Sequence, residues 1–248
     1  MEHLEAGALL AAWEAGLASD DRGRALLLHG LARPGTGAGE LLSVPVGRRD
    51  AELFAVRRAL FGTELEVRAD CAECGEEMEF SFDAAGLGTD GPGTPPGAPD
   101  GPIRVEEGEW TVEFRLPTPA DLAAVGTVPG DRARTALLTR CVVRAEHGGR
   151  PVTDPDLPDR VQRRMAAASE ASDPLADVTL NVTCPDCGKA TRAELDIASY
   201  LWAELDAWAR DTLLDVHLLA TAYGWSEPEI LALSPLRRRY YLELCADA

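Results

Sequence analysis

Leu65-Glu-Val-Arg-Ala-Asp-Cys71-Ala-Glu-Cys74-Gly75 and Val178-Thr-Leu-Asn-Val-Thr-Cys184-Pro-Asp-Cys187-Gly188 are one pattern written twice. In the first, Leu65, Val67 and Ala69 alternate with polar residues up to a Cys-x-x-Cys-Gly turn, and Met78, Phe80 and Phe82 alternate after it. That period predicts a strand, a metal knuckle and a returning strand. The overlay continues, since Phe82-Asp-Ala84 falls on Leu195-Asp-Ile197 at the same offset. A duplicated hairpin explains so long a match most simply; two independent knuckles obeying the same chemistry are the other explanation.

Paired thiolates two residues apart in a tight turn face a single ion, and two such pairs complete the tetrahedral sulfur set that zinc prefers. Glycine after each second cysteine relieves crowding where the backbone folds around the sulfur. Cys71, Cys74, Cys184 and Cys187 are therefore expected to hold one structural Zn2+ with no open position for water or substrate. A redox Cys-x-x-Cys is the competing reading, but it needs a helix N-terminus in a βαβ setting, which the pattern lacks. Because the ligand pairs lie so far apart, one intertwined domain is expected. Cys141 and Cys245 stand alone in apolar stretches and read as buried structural thiols.

Around these knuckles the period is helical. Residues 1–62 read as an N-terminal helical region, with Leu9, Leu10, Trp13 and Leu17 at three- and four-residue spacing, then 21–31, then a helix from about Gly47 through Leu60 capped by Gly62. Residues 63–83 and 177–197 form the zinc-ribbon-like β unit. The segment 84–102 is a Gly/Pro-rich loop. An insertion at 103–176 carries a hairpin turning at Glu107-Gly108 and helices at 118–125, 131–144 and 156–169. Residues 198–248 form a C-terminal three-helix unit: a long amphipathic helix to Tyr223, a short one behind the capping box Ser226-Glu-Pro-Glu229, and a last one opening at Ser234-Pro235. The fold class expected is α+β, mainly helical, with a small four-cysteine β unit made of two strand-knuckle-strand hairpins.

The 248 residues carry 24 basic and 42 acidic side chains, a net charge of −18, and Lys189 is the only lysine. Phosphate backbones repel such a surface, so nucleic acid is an unfavoured partner. The arginines of the stretches 162–164 and 237–239 are the only dense basic candidates, and each reads as the solvated face of a helix. Met1-Glu-His-Leu-Glu5 carries no basic segment before an apolar run, and no stretch holds the roughly 18 apolar residues of a membrane span. A cytoplasmic protein with reduced thiols and no membrane partner is expected.

Catalytic patterns are missing: there is no Walker loop, nucleotide-binding Gly fingerprint, His-Glu-x-x-His or serine elbow. His217 lies two residues from Asp215, and neighbours two apart do not share a helix face, so it reads as a boundary or core histidine. The chain is not expected to be an enzyme.

Pro45-Val-Gly-Arg-Arg-Asp50, Leu60-Phe-Gly62, the Cys-x-x-Cys-Gly hairpins, Asp215-Val-His-Leu-Leu-Ala-Thr-Ala-Tyr-Gly-Trp225-Ser-Glu-Pro-Glu-Ile230 and Arg237-Arg-Arg-Tyr-Tyr241 together resemble proteins of contractile phage-tail and extracellular injection systems, in particular baseplate hub assembly chaperones. The resemblance covers roughly 20–83 and 178–245, and 103–170 has no counterpart in it. It implies a chaperone-like factor that helps baseplate or hub proteins assemble, with no chemical reaction of its own. Trp225, Tyr240 and Tyr241 are the aromatic anchors such a factor would offer a partner. A permanent baseplate component is the alternative, and a zinc-ribbon/helix-turn-helix regulator binding nucleic acid is the second, against which the net charge counts.

Overall fold

A computed structural model describes residues 5–87 and 101–246. Most of the expected Gly/Pro-rich loop, 88–100, lies outside the described residues. The chain is a mixed α and β protein, about half helical, and it divides into two compact units. One joins the residues up to Leu31 with those from Ala198 onward; the other runs from Ala32 to Ile197. Where one intertwined domain was expected, the four cysteines all fall within the second unit. Among the described residues no helix is long and apolar enough to cross a membrane.

The first unit is all helical, built from α1 (Ala6–Leu17), α2 (Asp21–Ala32) and, later in the chain, α8 (Ile197–Tyr223), α9 (Glu227–Leu231) and α10 (Pro235–Ala246). Leu9, Leu10, Trp13, Leu28, Leu201, Leu205, Leu219 and Ile230 are buried in it. Trp13 buries its ring and donates its indole N–H to Asp206 at 2.8 Å, so burial leaves no orphan donor. Gly16 permits close approach of Trp202, because a Cβ there would lie 2.2 Å from the indole. Ser226 and Glu229 close the expected capping box at the start of α9. Helices from early and late in the sequence therefore contribute to one helical body.

The second unit opens with α3 (Ala38–Leu41) and α4 (Val46–Phe61). α4 is buried nearly throughout, from Val46 to Arg57, including Asp50, Glu52 and Arg57. Buried charge is tolerated only when paired. Arg33 grips Glu52 with two hydrogen bonds of 2.6 Å, Arg49 meets Asp50 at 2.6 Å, and Arg57 donates to the Gly62 carbonyl at 2.7 Å. Gly62 ends the helix at φ +88°.

Strands β1 (Glu64–Asp70) and β2 (Glu77–Asp83) form one antiparallel ribbon. Strands β3 (Ile103–Glu107), β4 (Trp110–Phe114), β5 (Val142–His147) and β6 (Arg150–Pro151) form a four-stranded sheet in that order. Between β4 and β5 lie α5 (Pro119–Val125) and α6 (Gly130–Cys141), and α7 (Asp159–Ser172) follows the sheet. Val105, Val112, Phe114 and Ala145 pack with Leu138, Cys141, Leu157, Val161 and Met165 into one apolar cluster. A second ribbon, β7 (Thr179–Thr183) with β8 (Ala190–Glu194), closes the unit.

Two expectations are corrected in this region. The helix expected over 131–144 ends at Cys141, and Val142 begins a strand. The apolar positions of Leu138, Cys141 and Val142 suit a helix locally, but β4 offers an open edge and the β-branched pair Val142-Val143 takes it, with Arg115 N–H donating to the Cys141 carbonyl. The resulting sheet is why the protein is about half helical and not mainly so.

Candidate metal centre

The two ribbons share a register. Asp70 faces Glu77 and Glu66 faces Ser81 in the first; Thr183 faces Ala190 and Thr179 faces Glu194 in the second, each at the equivalent place relative to its cysteines. Their knuckles are bonded alike. Cys71 N–H donates to Glu76 O at 2.8 Å and Gly75 N–H to Cys71 O at 2.9 Å; Cys184 N–H donates to Lys189 O at 2.9 Å and Gly188 N–H to Cys184 O at 3.0 Å. Gly75 and Gly188 sit at φ +75° and +69°, where a side chain would be strained.

This geometry brings the four expected cysteines together. Their Sγ atoms all lie within 4.8 Å of one another, an arrangement that could hold a metal ion. Cys71 and Cys187 are 3.6 Å apart and Cys74 and Cys184 3.7 Å apart, so each contact crosses from one ribbon to the other. Four thiolates around one ion at the usual metal–sulfur distance have edges of about 3.8 Å, whereas a disulfide closes to about 2 Å. All six cysteines are free thiols. Cys71 and Cys184 are buried against Met78, with Ala69 and Val182 beside them, while Cys74 and Cys187 reach the surface.

Without a cation the thiols cannot ionise together. Backbone amides of Cys74 and Glu73, with the Thr191 hydroxyl, pull the Cys71 thiol down to about 6. Cys74 receives the Glu76 amide, yet its contacts with Cys71, Cys187 and Cys184 push it up to about 12. Cys187 accepts the Lys189 amide, and burial together with its neighbouring thiols raises it on balance. Thiolates packed this closely repel one another unless a positive ion lies among them. Thr191, 3.6 Å from Cys71 Sγ, was missed in the sequence because nothing in its spacing marks it.

The three candidate partner-binding aromatics divide. Trp225 and Tyr241 meet edge to face at 4.8 Å, and Tyr223, which the sequence did not single out, stacks on Trp225 at 4.7 Å. Tyr240 is outside that cluster and exposed. His217, expected at a boundary or in the core, is exposed on α8. Cys141 is buried as expected, which pushes its thiol up to about 11, whereas Cys245 is only partly covered.

A quartet of cysteines close enough to hold a metal ion, set in a mixed α and β unit, is thus the defining feature of residues 32–197. Residues 36–197, well over half of the chain, match the model of the T4 bacteriophage base plate protein family, and the chain belongs to that family. The match runs through 103–170, which the sequence resemblance had left without a counterpart. No curated protein and no solved structure is significantly similar to the chain.

Proposed function

We propose that this protein is a non-enzymatic, chaperone-like assembly factor for the baseplate or hub of a contractile phage-tail-like particle or injection system. Membership of the base plate family carries the reading. The cysteine quartet is a structural zinc site of the zinc-ribbon type: four thiolates fill the tetrahedron, so the ion ties β1–β2 to β7–β8 and has no position left for substrate. Its partners are baseplate or hub proteins, and the helical unit carrying Trp225, Tyr240 and Tyr241 is the proposed contact surface.

Deleting the gene should abolish complete particles, while mass spectrometry of wild-type particles should find the protein absent. Its presence at fixed stoichiometry in finished particles would establish the second reading, a resident baseplate component, with which the family match is equally compatible. Lowered messages for particle genes, with assembly otherwise competent, would point to a regulator instead.

A further inference from the structure

The three most exposed large apolar side chains among the described residues lie on one helix. Leu236, Tyr240 and Leu244 of α10 are 65%, 62% and 60% exposed. At four-residue spacing they form a single stripe. The opposite side of α10 is already occupied: Arg238 pairs with Asp215 at 3.1 Å, and Tyr241 packs against Trp225 and Tyr223. This helix therefore has one covered face and one bare apolar face.

Charge around the stripe is nearly balanced, on a chain of net charge −18. Asp215 neutralises Arg238, and Arg239 pairs with Glu243 at 3.0 Å, which among the described residues of α10 leaves Arg237 as the surplus cation. Elsewhere two copies of so acidic a chain repel, and here they approach at least cost. The stripe is also self-complementary. In an antiparallel pairing centred on Tyr240, Leu236 meets the position of Leu244. Arg239 and Glu243 share one flank, so each Arg239 falls beside the Glu243 of the other copy.

We propose that α10 pairs antiparallel with α10 of a second copy of this chain, across a two-fold axis at Tyr240. A two-fold contact uses the same patch on both partners, and this patch satisfies that condition in both its apolar and its charged residues. One three-residue stripe buries little area, so the dimer is weak, with a dissociation constant on the order of 10–100 µM. The inference concerns the free chain and does not depend on whether the protein stays in the particle.

Sedimentation velocity on the full chain tests it. A concentration-dependent dimer is expected, tightening as salt rises because each copy carries −18. Leu236→Glu and Tyr240→Glu should each weaken it about tenfold or more with thermal melting unchanged, since both side chains are exposed. Arg239→Glu and Glu243→Arg should each dimerise a few-fold more weakly alone, yet recover when mixed, because only the mixed pair places opposite charges at both contacts. A wild-type chain that stays monomeric at about ten times that dissociation constant overturns the proposal. So does a dimer indifferent to Leu236→Glu, or charge variants that fail to recover on mixing.

Discussion

Replacing Cys71 with Ser removes one of the four cysteines that, in the proposed zinc site, tie two distant ribbons together. The contacts cross sequence separations of 116 and 110 residues. A cross-link closing a loop of roughly a hundred residues restricts the unfolded chain by about 4–5 kcal/mol. Against a total stability of about 5–15 kcal/mol, that is a large share. At about 2–4 °C per kcal/mol for a chain of this size, Cys71→Ser should melt roughly 10–20 °C below the wild type. Cys184→Ser should do the same. A chelator supplies the decisive control. It should lower the wild-type melting temperature to that of the variant and leave the variant unmoved, while elemental analysis finds one zinc per wild-type chain. Cys141→Ser is the contrast: it buries a hydroxyl in the apolar cluster of the sheet and costs about 1–3 kcal/mol, with chelator sensitivity retained. A Cys71→Ser protein that melts with the wild type, or that responds equally to chelation, would refute the argument.

Gly47→Ala should destabilise the second unit, because the new Cβ would lie 2.0 Å from Asp173 Oδ1 and 2.7 Å from the Ala176 amide, and the main-chain contact cannot give way cheaply; a chemical-denaturation midpoint equal to wild type would count against this. Asp173 accepts the Gly47 N–H at 3.0 Å, and burial raises its carboxyl above the ordinary range, so its contribution is present at low pH and lost as pH rises through the folded value. Asp173→Asn keeps an acceptor and drops the charge, and should hold or raise stability at neutral pH in the same denaturation assay. Asp121 is the opposite case: Arg115, first of all, then the Thr118 hydroxyl and amide, hold its carboxyl well below the usual range. Its contribution is complete above the unfolded value near 4 and fades as pH falls below it, so Asp121→Asn should cost about 2 kcal/mol at neutral pH and less in acid, as pH-dependent melts would show.

Patterns confined to a few neighbouring residues were legible in the sequence. The alternation at Leu65, Val67 and Ala69, the glycines at 62, 75 and 188, and the capping box at Ser226 each act over one turn or one strand, and the elements they predict are present. The cysteine quartet was legible because metal chemistry imposes a spacing on each pair. Features requiring a partner from elsewhere were not. Val142–His147 becomes a strand because β4 lies beside it, although its own residues continue a helical period. Arg33 and Glu52 are both charged, and nothing local says that one will be buried against the other. Tyr223 joins Trp225 and Tyr241 through the packing of α8, α9 and α10, which no single periodicity encodes.

The family match, 36–197, begins and ends close to the unit Ala32–Ile197, and the second ribbon closes just before that unit's end. The sheet between the cysteine pairs has its own apolar cluster, centred on Val112, Phe114, Val161 and Met165, which among the described residues draws on none before 103 or after 168. The intervening segment lies in the same compact unit as the four cysteines, and the proposed ion would join ribbons that flank it. A fragment comprising residues 32–197 should consequently fold alone, bind one equivalent of zinc and melt cooperatively. Its melting temperature should fall on chelation by as much as that of the full chain, because the closed loop is the same in both. A fragment that takes up zinc but shows no cooperative transition would mean that α4, buried nearly throughout, depends on residues outside 32–197. A fragment that folds cooperatively without zinc would show that the apolar cluster suffices and that the cysteines contribute less than the loop argument requires.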